Sequence, residues 1–233
     1  MEWLKQYLSA EKTKISGIPT ARERWEYIWE YYKLWIIGAV CLVWFLSFAV
    51  YRYFFVPRDN WFLAVFTNTY SQVGNNSELW QDFVDYSGYD ITEKKVEFNN
   101  NSFFDLTKTG GAINKYYEAF VAFADSGELD VVVMEQPQQL AAVGATGRLL
   151  DLDRPECAAL RQRYADRLVY TTPNDEEYGS DRVAVGIDVR DSLLMTKYRV
   201  YGGETCVIGI GANSRNLDAV ETFLRFILEE GAP

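Results

Sequence analysis

The 233-residue chain contains no histidine. Without imidazole there is no Ser-His-Asp or Cys-His nucleophile, no histidine-ligated zinc, and no side chain whose ordinary pKa makes it a switch near neutral pH. The three cysteines stand at Cys41, Cys157 and Cys206 with no CxxC pair, which removes a redox dithiol of that spacing. Whether Cys157 and Cys206 pair depends on a separation that sequence does not supply. Positive charge is scarce too. The 23 Lys+Arg against 33 Asp+Glu give a net charge of −10 and a pI near 4.7, the wrong sign for a nucleic-acid partner. No P-loop and no G-x-S-x-G occurs. Gly209-Ile210-Gly211 echoes a dinucleotide fingerprint, but Ser214 stands where its third glycine belongs. Asp151 and Asp153 read as a strand end and a helix cap rather than as cation ligands. The expectation is a non-enzymatic chain with no cofactor and no metal.

What is present is concentrated. A mean hydropathy of −0.18 averages over a run, residues 34–51 (LWIIGAVCLVWFLSFAVY), that holds no charge and continues apolar to Val56 past Arg52. As a helix, residues 34–56 span roughly 34 Å, enough for a hydrocarbon core of about 30 Å. Trp29, Tyr31, Tyr32 and Trp35 border it on one side and Tyr51, Tyr53 and Trp61 on the other, as interfacial aromatic belts do. Residues 1–33 carry six basic side chains (Lys5, Lys12, Lys14, Arg22, Arg24, Lys33), against Arg52 and Arg58 beyond, which predicts a cytoplasmic N-terminus. A cleavage site after Ala49 is the competing reading. The long, partly acidic leader and the apolar residues past Ala49 favour an uncleaved signal anchor in the cell membrane. Thr20-Ala21-Arg22-Glu23 forms a capping box that opens a helix running into this span, with Trp25, Ile28, Trp29 and Tyr32 along one stripe.

Residues 57–233 hold 16 basic and 28 acidic side chains, a net of −12, in a length suited to one extracytoplasmic domain. Strands are expected over 61–69, 95–98, 129–134, 182–189 and 205–210. Helices are expected over 78–86 behind Ser77, over 112–126 with Ile113 facing the core and Gly127 closing it, from Pro137 to near Gly147, and over 192–198 and 217–230. Asp153 and Glu156 form a second capping box opening a helix to about Leu168, followed by a loop over 171–180 that contains Asp175-Glu176-Glu177. The alternation implies one three-layer α/β lobe with a mostly parallel sheet.

Residues 129–153 (LDVVVMEQPQQLAAVGATGRLLDLD) and 206–227 (CVIGIGANSRNLDAVETFLRFI) resemble two first-lobe segments of the extracellular solute-binding proteins of the type 2 periplasmic-binding fold. In that family a strand ending near an acidic residue leads to a short helix and then G-x-L-x-x-L, and a return strand leads to Asn-Ser and a closing helix. The resemblance implies a periplasmic-binding-protein-like lobe, a small solute and a transporter. The departure is length: residues 151–181 are too few for a second lobe with its own core, so a solute would be covered on one side only. Outside the membrane segment only Trp80 remains as a sugar platform, and its helix position places it in the core.

In open α/β sheets ligands bind beyond the carboxyl ends of the strands. That rule nominates Thr67, Asn68, Asn101, Ser102, Phe103, Glu135, Gln136, Gln138, Asn213 and Ser214. The leading expectation is a single-pass anchored solute-binding-like module, accessory to a transporter. Its alternative is a non-enzymatic assembly subunit of a membrane complex that binds a protein partner and no solute.

Overall fold

A computed structural model describes residues 2, 6, 10, 13–54, 59–174 and 181–228. The chain divides into two compact units, Met1–Val56 and Pro57–Pro233. In the first, helix α1 (Ala21–Phe54) runs 34 residues without a break. The Thr20 hydroxyl accepts from the Glu23 amide at 3.3 Å, so half of the expected capping box forms. The helix is long and apolar enough to cross a membrane, with a mean window hydropathy of 2.2 and none of that window buried within the protein. Residues 55–58, including the linker Pro57-Arg58, lie outside the described residues.

The second unit is an α/β domain. In chain order it comprises β1 (Asn60–Thr67), α2 (Glu78–Ser87), β2 (Lys95–Ser102), α3 (Lys115–Ser126), β3 (Val131–Met134) and α4 (Pro137–Gly144). Then follow α5 (Ala158–Arg163), β4 (Leu168–Thr171), β5 (Val183–Asp188), α6 (Leu193–Thr196), β6 (Val207–Ile210) and α7 (Leu217–Leu228). Local chemistry explains several boundaries. The Ser77 hydroxyl accepts from the Trp80 amide at 3.1 Å to start α2, and Gly88 ends it at φ 63°. Asn114 caps α3, Gly127 closes it at φ 76°, and Pro137 opens α4.

The six strands form one sheet in the order β2-β1-β3-β6-β5-β4. Its direction corrects the expectation of a mostly parallel sheet. The pairs β1–β2 and β1–β3 are parallel, whereas β3–β6, β6–β5 and β5–β4 are antiparallel. The connection between β5 and β6 is held at the end where β5 stops. Val189 donates its main-chain amide to the Cys206 carbonyl at 2.8 Å. The Val200 carbonyl, Tyr201 and Thr205 bond to Thr69, Thr67 and Glu135 at that same end. β6 therefore starts at the end where β5 stops. A buried β-branched run announces burial on both faces but not direction.

Strand alternation divides the core. Phe62, Ala64 and Phe66 of β1 join the α2 and α7 side, where Phe83, Phe98 and Phe223 pack with ring centroids 5.1–6.2 Å from Phe62. Leu63 and Val65 point the other way, toward Tyr117 and Phe120 of α3 and Leu140 of α4. Burying a Phe or Leu side chain contributes roughly 1.5–3 kcal/mol, so this two-sided packing outweighs any single polar contact. Helix α4 sits unusually near the sheet. Gly186 and Gly209 face each other across β5 and β6, and a Cβ on either would fall 2.3 or 2.9 Å from a Leu140 methyl.

Other expectations change. Ile113 is 88% exposed and precedes α3 instead of facing the core. Asp153 does not cap a helix. Its carboxylate accepts from the Ala184 amide at 2.9 Å and pairs with Arg161 at 2.7 Å, and the chain passes through a 3₁₀ turn, Pro155–Cys157, into the short α5. The expected helix to Leu168 and loop from Thr171 hide an additional strand, β4, at one edge of the sheet. Residues 175–180, with Asp175-Glu176-Glu177, and the expected end of the last helix at 229–230 lie outside the described residues. Cys157 and Cys206 are buried free thiols.

Candidate binding site

β1, β2, β3 and β5 end at one edge of the sheet, here the carboxyl edge, and β4 and β6 end at the other. This divides the predicted site. Thr67, Asn68, Asn101, Ser102, Phe103, Glu135, Gln136 and Gln138 follow strands ending at the carboxyl edge. Asn213 and Ser214 follow β6 and lie at the opposite edge. There the Ser214 hydroxyl donates to Asp130 at 2.6 Å and the Asn213 amide to the Ala124 carbonyl at 3.2 Å.

At the carboxyl edge most polar groups are already engaged. The buried Thr67 hydroxyl donates to the Val133 carbonyl at 3.2 Å. The Tyr201 hydroxyl lies 2.9 Å from the Thr67 carbonyl and 2.8 Å from that of Val133, across the ends of β1 and β3. Thr69 donates to Val200 at 2.6 Å, Thr205 donates to the Glu135 carbonyl at 2.7 Å, and the Gly203 amide donates to the Glu135 carboxylate at 3.1 Å. The β5–β6 connection thus closes the middle of the edge. Within it Arg199 takes a left-handed φ of 49°, held by Ser71, whose hydroxyl donates to the Arg199 carbonyl at 3.0 Å. Asn68, itself at φ 54°, donates from its amide to the Phe104 carbonyl at 2.7 Å. Buried Ser102 accepts from the Asn68 main chain at 2.8 Å, and exposed Asn101 donates its amide to the Asn99 side chain at 2.9 Å. Gln136 is the N-cap residue of α4 and makes no capping bond through its side chain; Gln138 is exposed.

What remains available is aromatic. Phe103 stands between Tyr70 and Tyr116, with ring centroids 5.3 and 5.7 Å away, and Lys115 lies 4.9 Å from the Tyr116 centroid. Tyr70 is 90% exposed. Asn114 fixes the ledge: its side chain accepts from the Tyr116 amide at 2.8 Å and donates to the Phe103 carbonyl at 2.7 Å. Sequence reading found Phe103 and missed both tyrosines, because it looked for platforms among tryptophans alone. The usable signal was position, since Tyr70 follows the first strand by three residues.

The carboxyl groups divide by environment. Thr107 and Lys108 hold Asp105 at about 2 despite burial, in the loop before α3. Asp130 goes the other way, raised by burial against the pull of its Ser214, Leu63 and Asn216 donors. Cavities of about 500, 370 and 350 Å³ lie away from the ledge, and of the predicted residues only Gln138 borders one of them. Among the described residues no group of three or more Cys, Asp or Glu is placed to hold a metal ion. No protein-family model, no curated protein and no solved structure matches this chain.

Proposed function

We propose that this chain is a single-pass, membrane-anchored binding module whose α/β domain, outside the cytoplasm, presents the Tyr70–Phe103–Tyr116 ledge to a ligand. The carrying observation is the contrast at the carboxyl edge: most of its polar groups are consumed internally, while a cluster of tilted and edge-to-face aromatic rings ends in exposed Tyr70. The resemblance to solute-binding proteins supports a small solute as that ligand, delivered to a transporter. A ledge covers one face of a solute, so a membrane partner supplies the other surface. The apolar, uncharged stretch of α1 supports the anchor, and the basic residues before it support a cytoplasmic N-terminus. The second reading, an assembly subunit that binds only protein, draws on the closed middle of the edge.

Tyr70→Ala tests the proposal on the full chain in detergent, screened by thermal shift against sugars, amino acids and peptides. A solute that binds only the native state raises the wild-type melting temperature and leaves the variant unmoved. A shift shared by both proteins rejects the ledge. No shift with any solute, together with partner crosslinking that Tyr70→Ala abolishes, selects the assembly reading.

A further inference from the structure

The two outermost strands of the sheet are treated differently. At β2 the Trp80 indole donates to the Val96 carbonyl at 2.8 Å and the Asn75 side chain accepts from the Phe98 amide at 2.7 Å, so main-chain groups on its free side are occupied. Such plugging is how an edge avoids pairing with another chain. At β4 no side chain does this: among the described residues, no hydrogen bond reaches Leu168, Val169 or Tyr170 from outside the sheet. Between β4 and α4 lies a groove of about 370 Å³, walled by Pro137, Gln138 and Ala141 and reaching Asp188 at the end of β5.

The ends of that groove carry opposite charges, neither in an ion pair among the described residues. Arg182, beside the far end of β4, holds its guanidinium 5.3 Å from the Tyr170 centroid and, among the described residues, has no carboxylate partner. Asp166, beside the start of β4, is exposed and, among the described residues, accepts no hydrogen bond. The neighbouring charges are already paired. Arg167 makes a two-pronged contact with Asp191, its second prong at 2.8 Å, and Arg190 holds Asp188 at 2.9 Å.

From this we infer a second binding site, for a short extended peptide with free termini that adds to β4 as a parallel strand. Its ammonium group meets Asp166 and its carboxylate meets Arg182. β4 has four residues, about 13 Å of extended chain, which sets a ligand of about four residues. Main-chain bonds to an open edge supply affinity for any sequence, and the charged ends select length and direction. The site is separate from the aromatic ledge and does not depend on it.

Calorimetric titration of the full chain in detergent with tetra-alanine tests the inference, beside its N-acetylated and C-amidated forms. Tetra-alanine binds saturably; amidation weakens it roughly tenfold or more, and so does Arg182→Gln, with no further loss when the two are combined. Acetylation and Asp166→Asn behave as the second such pair, while Tyr70→Ala leaves the titration unchanged. Absence of saturable binding by the wild type overturns the site. Equal binding of capped and free peptides does the same, as does a cap and its matching substitution weakening binding independently. Because the capped peptides are tried on the unaltered chain, misfolding of a variant does not shield the inference.

Discussion

The two edges of the sheet solve the same problem with different chemistry. Where β1 and β3 end, neutral hydroxyls make the ties: Thr67 joins β1 to β3, and Tyr201, Thr69 and Thr205 join the strand ends to the β5–β6 connection. Where the same strands begin, one buried carboxylate gathers the contacts. Asp130 accepts from the Leu63 amide at 2.9 Å, from Ser214 at 2.6 Å and from Asn216 at 3.4 Å, binding β1, β3 and the segment after β6 together. A neutral tie is insensitive to acid and divides its contribution over many bonds. A charged hub concentrates the contribution and makes it depend on pH.

The largest break in this contrast is Asp130→Ala. It orphans the buried Leu63 amide and frees Ser214 and Asn216, and should cost about 3 kcal/mol. Tyr201→Phe removes one neutral hydroxyl, and the Val133 carbonyl keeps the Thr67 hydroxyl as donor, so the change should cost about 1 kcal/mol. Urea unfolding of the full chain in detergent, followed by near-ultraviolet circular dichroism, measures both. Near-equal costs would erase the proposed difference between the edges.

The smallest and most diagnostic effect is in pH. Burial raises Asp130 above the ordinary carboxyl range, so the folded state favours its neutral form. That contribution is complete below the unfolded value near 4 and is lost as pH rises through the raised value. Asp82, Asp188 and Asp191 are lowered and act in the opposite sense, destabilising on acidification, but they are common to wild type and variant. The stability of wild type relative to Asp130→Asn should therefore fall between pH 4 and 7. Relative to Tyr201→Phe it should stay flat, since burial pushes that phenol well above its usual value. A flat Asp130→Asn comparison would mean that folding leaves the proton affinity of this carboxyl unchanged.

Most elements were legible because their signals are local. Ser77, Gly127 and Pro137 act on adjacent main-chain groups, and the stripe Val220, Phe223, Leu224 and Ile227 needs only helical spacing. Strand direction was illegible because it depends on the end of the sheet at which a connection is held, here by the long-range bonds of Val200, Tyr201 and Thr205. That error moved Asn213 and Ser214 to the wrong edge. β4 was hidden because Asp153 satisfies its carboxylate at Ala184, across a long loop, in place of the adjacent helix start that sequence suggested. The role of Asp130 was illegible because its three donors, Leu63, Ser214 and Asn216, lie far from it in the chain and meet it only in space.

The facing glycines beneath Leu140 bear on how this domain can change over generations. An alanine at Gly186 or Gly209 collides with the same leucine, and at Gly186 a Cβ also falls 2.7 Å from the Ile208 carbonyl, which cannot retreat as a side chain can. A Cβ at Gly209 also falls 2.9 Å from a Leu149 methyl, so these positions form one heritable unit. Drift at Gly209 is open only to lineages in which both Leu140 and Leu149 first give way, and Gly186 stays fixed even in those.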